Sequence, residues 1–536
     1  MRNTLWSITL FVFDIFLFVY GQSSTGGTTV QTQQGPVEGS IVTPGVRQFL
    51  GIPYATAKRW QAPQKPAKRS TTLDATSFGP SCPQSLTPIT NEFLSLTGSG
   101  GQTTSESETC QTVNIWAPST DRPQNTSVMI WIYGGSFAYG TTDFKYYIGE
   151  NIVRDNDDVI VVSLNYRTNI FGQPNAPQLA LSLTNSQNFG LLDQKAAIQW
   201  VSDNIAVFGG DPDRIIIFGE SAGAISTDAY AYANPDDTIV KGIIQESGSL
   251  AGNSLLAPQA PESTVVSWTE VATSVGFADP LQLACMEIIP FQELENVVIA
   301  LEATFAPVPD GITYFDDINE RSAAGNFLKV PLLVGSNANE GDIFVVSLEV
   351  LELGGSIPGL TQEGSEDITE VCTNSDDNDN LTERYLKLLF NCPASITAAG
   401  RVDADVPTYR YRYEAIFPDV TNNRPDLGAY HSSEIPIVFG TYNSSAFTEP
   451  PSDVEITLST YVQSAWVAFA RDPVNGLTNF GWPLYNPNTA SIARLGSTDN
   501  QTGVVFGSSA TFDVGCDSTE AELSLVEEVF ALTSGF

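Results

Sequence analysis

The chain has 536 residues with 24 basic against 61 acidic side chains, a formal charge of −37 that sets it against nucleic acid and anionic membranes as partners. Hydrophobic residues make up 42% and aromatics 10%, enough for a large buried core and too much for a disordered chain. The six cysteines include no C-x-x-C pair and there is one histidine, so a Cys/His metal site is not expected.

Residues 1–21 predict a signal peptide. Arg2 gives a positive start, the apolar run LWSITLFVFDIFLFVYG follows, and cleavage is expected after Gly21. Asp14 interrupts the run and argues against a membrane anchor, and no later stretch is apolar for long enough to span a bilayer. A secreted, extracellular protein follows, with one domain over 22–536 because no repeat or long Pro/Gly/Ser linker divides the chain. Four N-x-S/T sequons, at Asn125, Asn380, Asn443 and Asn500, fit that route. An even cysteine count in an exported chain permits disulfides.

Further along, strand-like and helix-like runs alternate. VMIWIYGG (128–135) and VIVVSLNY (159–166) predict buried strands, and LLDQKAAIQWVSDNIAVF (191–208) has helical spacing. RIIIFG (214–219) predicts a strand with a helix starting at Ser221 or Ala222. GIIQESG (242–248), VPLLVGSN (330–337) and TYRYRYEA (408–415) predict further strands. The acidic stretch 362–382 reads as a surface insertion, and 455–471 and 518–533 read as helices. The alternation predicts an α/β fold with a mostly parallel sheet covered on both faces, and ligands then bind beyond the carboxyl ends of the strands.

FGGDPDRIIIFGESAG (208–223) contains G-x-S-x-G, centred on Ser221, between a predicted strand and a predicted helix. A sharp turn there exposes the serine hydroxyl at a helix N-terminus, where developing negative charge is favoured. A serine nucleophile needs a base with a pKa near the working pH. The only histidine is His431, downstream of the serine as the chain order serine, acid, histidine requires.

These segments resemble the type-B carboxylesterases, the family of carboxylesterases, fungal lipases and cholinesterases. VRQFLGIPYA (46–55), NFGLLDQKAAIQWVSDNIAVFGGDP (188–212) and GAYHSSEIPIVFG (428–440) carry the resemblance together with the serine segment. It implies the α/β-hydrolase fold and hydrolysis of carboxylic esters through an acyl-enzyme, with no cofactor or metal. It also supplies the acid, Glu340 in SNANEGDIF, which would orient His431. YGGSFAYG (133–140) implies an oxyanion hole from the N–H groups of Gly135, Ser136 and Ala222, although the family usually has a third glycine in place of Ser136. Ser247 is expected near Glu340 and Glu220 near the histidine. Arg59 and Glu108 pair in relatives, and here either could equally be solvated.

The resemblance pairs Cys82 with Cys110. Its second disulfide looks broken, because Phe277 stands where relatives carry the partner of Cys285; the pairing of Cys285, Cys372, Cys392 and Cys516 stays open. The 27-residue loop 83–109 has one aromatic, Phe93, and no tryptophan, which excludes an aromatic cage for a choline ester. Its small apolar piece EFLSL favours a carboxylesterase for soluble esters. A triacylglycerol lipase acting on lipid is the alternative reaction, and a non-catalytic adhesion or binding protein of this superfamily the alternative from another class. The strong negative charge is expected to raise the pKa of His431.

Overall fold

The computed structural model describes residues 27–180, 186–250, 261–277, 283–344, 346–347, 387–444, 449–514 and 516. The signal peptide, the acidic stretch 362–382, the helix at 518–533, Asn380 and Cys372 lie outside the described residues.

Eleven strands form one sheet: β1 (Ser40–Thr43), β2 (Val46–Pro53), β3 (Thr112–Pro118), β4 (Thr126–Ile132), β5 (Val159–Leu164), β6 (Gly210–Glu220), β7 (Val240–Glu246), β8 (Leu332–Asn337), β9 (Thr408–Tyr413), β10 (Ala490–Ser497) and β11 (Asn500–Ser508). Their spatial order is β11-β10-β9-β8-β7-β6-β4-β5-β3-β2-β1. The run from β10 through β5 is parallel. Antiparallel pairs close both ends, β10 with β11 on one side and β5, β3, β2 and β1 on the other. The sheet is therefore parallel where sequence reasoning placed strands and antiparallel in the flanks, where it placed none.

Every residue of β3, β4, β5 and β8 is buried, which requires cover on both faces. Ile215, Ile216, Ile217 and Phe218 of β6 are fully inaccessible. The described helices include α1 (Pro88–Thr97), α2 (Phe189–Asn204), α3 (Ala222–Ala233), α4 (Cys392–Asp403) and α5 (Asp453–Arg471). Helix α5 starts where Ser452 and Glu455 cap each other reciprocally. The predicted helix over 191–208 splits, since its end, Ile205–Phe208, tightens into a 3-10 turn closed by Gly209 at φ 101°.

Two long-range links were open in the sequence. Cys392 at the start of α4 bonds to Cys516, and Cys82 bonds to Cys110 as the resemblance implies, while Cys285 keeps its thiol. Arg59 and Glu108 form a two-pronged ion pair at 2.7 and 2.6 Å, with Arg59 also donating to the carbonyls of Met286 and Ile289.

Deeper in the molecule, Arg167 after β5 meets Asp193 of α2 through two hydrogen bonds of 2.7 and 2.8 Å, both side chains buried. Removing one partner strands a charge in the interior. Asp193→Ala is expected to lower the unfolding free energy by about 3–5 kcal/mol. Urea denaturation checks this, and a loss under ~1 kcal/mol would show the pair to be solvated.

Candidate active site

The loops that leave the carboxyl ends of the parallel strands converge on one small cavity. Gly134, Gly135 and Ser136 follow β4, Ser221 follows β6, Ser247 follows β7, Glu340 follows β8, and the segment with His431 follows β9. Gly134, Gly135, Ser136, Glu220, Ser221 and His431 all line the cavity, whose volume is about 50 Å³.

Ser221 sits at φ 54°, ψ −124°, a backbone conformation that an L-residue adopts at a cost of about 1–3 kcal/mol. Its N–H donates to Glu246 O at 2.9 Å, which ties the turn to the end of β7. The two glycines of the motif are there for close approach. A Cβ on Gly223 would come within 1.9 Å of Ile132 O, and one on Gly219 would come within 2.6 Å of the same atom. Gly134 has the same constraint from the other side, since a Cβ would lie 2.8 Å from Glu220 Oε2 and 2.9 Å from Ser221 Cβ.

Gly135 has φ 103° and Ser136 φ 53°. The left-handed conformation at 136 is one that glycine adopts freely, so the serine there carries some strain. Among the described residues, the backbone N–H groups of Gly135, Ser136 and Ala222 donate to no protein acceptor. Ala222 is the first residue of α3, where helical N–H groups are unpaired by geometry.

His431 is 3% exposed and held at both ring nitrogens. Its Nδ1 lies 2.7 Å from Glu340 Oε2, and its Nε2 lies 3.1 Å from Glu220 Oε1. Among the described residues Ser221 Oγ makes no hydrogen bond, so the structure brings serine and histidine to one cavity while Glu220 occupies the imidazole edge. Glu340 is positioned in turn. Its Oε1 accepts from Ser247 Oγ at 2.6 Å and from the Asn337 N–H at 2.7 Å. Phe390 and Phe344 flank the imidazole, with ring centroids 4.5 and 5.4 Å away.

A separate set of bonds stitches the acid loop to the histidine loop across 90 to 93 residues of sequence. Asn339 N–H donates to Ala429 O at 2.9 Å, Ala429 N–H to Asn339 Oδ1 at 3.2 Å, and Asn337 Nδ2 to Tyr430 O at 2.7 Å. Gly428, at φ 58°, lets the chain pass there, because a Cβ would overlap the Asn339 side chain.

Four buried glutamates act on one another here, Glu220 and Glu340 at the imidazole and Glu246 and Glu434 behind them. Burial pushes Glu246 up to about 8, against a hydrogen bond from Trp466 Nε1 at 2.8 Å and with the Glu220 charge adding to the rise. Burial and the neighbouring glutamates hold Glu434 well above the usual carboxylate range. Both shifts favour the protonated carboxyl and so oppose the build-up of negative charge here. Burial also raises Glu220, opposed by His431 and by the hydroxyl of Ser432, which donates to Glu220 Oε1 at 2.6 Å. For His431 burial works to lower the pKa, but the Glu220 charge and the Glu340 contact outweigh it and the net shift is upward. The sign matches the sequence expectation. The cause is two local carboxylates.

Sequence reasoning missed Ser432, Glu434, Phe344 and Phe390. Ser432 and Glu434 lie within the histidine segment and were readable as its neighbours. Nothing in local sequence marks Phe344 or Phe390, which reach the site only through the fold.

A family model described as "Carboxylesterase family" matches residues 26–508. The chain is 33% identical over 468 residues to a chlorogenic acid esterase of Aspergillus niger, covering 84% of each chain. It is 31% identical over 504 residues to secreted lipase 5 of Gibberella zeae, covering 88% of this chain and 90% of that one. Among solved structures, a PNB esterase superposes with a TM-score of 0.71 at 27% identity, covering 93% of this chain and 99% of that one.

With one imidazole in the chain, its NMR titration is a single curve. Glu220→Gln removes a negative charge 3.1 Å from Nε2, and the His431 pKa is expected to fall. An unchanged titration midpoint would show that the Glu220 charge does not act on the ring.

Proposed function

The chain belongs to the carboxylesterase family and is a carboxylic ester hydrolase, and on that premise we propose that Ser221, Glu340 and His431 form its catalytic triad. The observation that carries this reading is the lone imidazole, bonded to Glu340 at Nδ1 and lining one cavity together with the strained Ser221, although its Nε2 rests against Glu220.

Ser221 Oγ attacks the ester carbonyl while His431 Nε2 takes its proton. The developing oxyanion accepts from Gly135, Ser136 and Ala222, whose N–H groups are unused by the protein. The imidazolium then protonates the departing alcohol, and water cleaves the acyl-enzyme by the same steps. Glu340 fixes the ring and stabilises its positive form, with Ser247 and Asn337 holding the carboxylate. Glu220 stabilises the same imidazolium from the opposite edge, and Nε2 exchanges this contact for the serine during the reaction. The base must be neutral to act, so activity sets in as pH rises through the elevated His431 pKa.

The second reading, a lipase with interfacial activation, is favoured by the Gibberella relative. The loop over the site opposes it. Cys82–Cys110 closes the loop, and Asp143 pins it by accepting from Thr103 N–H, Thr103 Oγ1 and Thr104 N–H at 2.7, 2.7 and 2.9 Å. Tyr146 Oη donates to Thr97 O at 2.9 Å, and Phe93 of α1 stacks on Phe344. A loop so fastened is poorly suited to swing away at an oil surface. The protein works outside the cell, a reading supported by the two disulfides and by the exposed asparagines of three sequons, Asn125, Asn443 and Asn500.

Ser221→Ala is expected to lower kcat on p-nitrophenyl butyrate by a factor on the order of 10⁴ or more without changing the far-UV circular dichroism. Retained turnover would refute the assignment, and an adhesion protein would leave a fluorophosphonate probe unreacted even with Ser221 present. On tributyrin, rates are expected to saturate below the solubility limit. A jump above that limit would favour the lipase.

A further inference from the structure

Buried tyrosines in this protein generally have a hydrogen-bond partner for the hydroxyl. Tyr54 donates to Asn165 O, Tyr146 to Thr97 O, Tyr166 to Tyr133 O and Tyr430 to Val420 O, at 2.7–2.9 Å. Among the described residues, Tyr411 and Tyr413 depart from this in the interior, away from the cavity, and Tyr139 and Tyr147 depart from it at the cavity of Ser221, which both line with hydroxyls that make no hydrogen bond within the protein. Tyr139 is 8% exposed. The Tyr147 ring is fixed among Trp131, Tyr133 and Phe144. Burial and the Glu220 charge raise the pKa of both phenols, so both stay protonated and available as donors. The ester hydrolysis described above uses neither hydroxyl. Tyr147 is half-buried and neither hydroxyl is sealed from solvent, so a substrate that displaces water from this cavity has to supply acceptors or leave two donors unpaired.

A second observation bears on the same point. Leu94 and Phe144 belong to the wall of this cavity and also to the wall of a neighbouring chamber of about 400 Å³. The chamber is within the size range of ligand pockets, whereas the space at the serine admits only a small group. No charged side chain lines it, in a chain of net charge −37. Its polar lining comes chiefly from the carboxamides of Gln84, Asn91, Gln102 and Asn422. Gln84 donates to Gln102 and accepts from the Gly140 N–H, whereas Asn91 and Asn422 are exposed, and Asn91 Oδ1 and the Asn422 carboxamide make no hydrogen bond among the described residues. Carboxamides both donate and accept, which suits neutral groups that do the same.

We propose that this esterase is built for esters of a neutral, polyhydroxylated alcohol, a sugar or polyol, with Tyr139 and Tyr147 as the residues that select it. The short acyl group and the scissile bond occupy the small space at Ser221. Oxygens of the alcohol accept from the two phenols, and its remainder passes Leu94 and Phe144 into the carboxamide-lined chamber. A saturated alkyl alcohol leaves both phenols desolvated and unpaired, and an anionic one meets the charge of Glu220. The proposal rests on the serine-esterase reading and deepens it by naming the alcohol.

The test compares glucose 6-acetate with hexyl acetate, which share their acyl group. Wild-type kcat/KM is expected to be higher on the sugar ester. In Tyr139→Phe/Tyr147→Phe the ratio of the two kcat/KM values is expected to fall by about 10-fold, the effect of lost hydrogen bonds. A fall of less than about 5-fold, or a wild-type preference for hexyl acetate, overturns the proposal. A merely structural role of the phenols would move both substrates together and leave the ratio unchanged. Should the double variant not fold, Tyr147→Phe alone is measured against the same 5-fold threshold. Failure of the serine assignment is read separately, as turnover surviving in Ser221→Ala.

Discussion

A buried imidazole between two buried carboxylates is the interaction around which the site is arranged. Glu340 meets Nδ1 and Glu220 meets Nε2, each at close hydrogen-bonding distance. Burial alone would expel a proton from the ring, and the two charges reverse that. The surrounding structure has to make such a cluster tolerable. It does so with donors on Glu340 from Ser247 and Asn337, with the Ser432 hydroxyl on Glu220, and with burial that raises the pKa of Glu246 and Glu434 and so disfavours their charged forms.

The sheet supplies the geometry that this cluster needs. Parallel strands end on the same edge, so loops far apart in sequence begin within a few strand spacings of one another. Close approach then does the fine placement. Gly219 and Gly223 let α3 leave β6 almost against β4, and Gly134 leaves room for the Glu220 carboxylate and the Ser221 side chain. The strain at Ser221 is sustained by these contacts and by the bond from its N–H to Glu246 O.

The resting arrangement also has a chemical consequence. Burial works to lower the His431 pKa, but Glu220 at Nε2 and Glu340 at Nδ1 shift it upward, toward the charged imidazole. In the proposed mechanism, substrate entering the cavity draws the ring toward the serine. The loop that covers the cavity is fastened by a disulfide, by Asp143 and by Tyr146, so reorganisation falls on side chains. In the proposed reading, selectivity resides in what the fixed walls present, including the two phenols and the carboxamide chamber beyond them.

Much of this was legible in the sequence. The run RIIIFGESAG specifies a buried strand, a turn that admits only small residues at its flanks, and a helix start, because each of those constraints is local. The scarcity of histidine left one base to consider. Other features were beyond local reasoning. The antiparallel flanks, β1–β3 on one side and β11 on the other, lack the long β-branched runs that mark the centre. The Cys392–Cys516 bond depends on where two distant segments come to rest. Glu340 came from family resemblance, since 61 acidic residues offer no local way to choose one. Only the folded chain, through Asn337, Asn339 and Gly428, brings Glu340 to the histidine and turns Nε2 toward Glu220. Backbone preference and hydrophobic pattern act over a few residues and are written in order along the chain. Which side chains share a hydrogen bond across 91 residues is decided by packing.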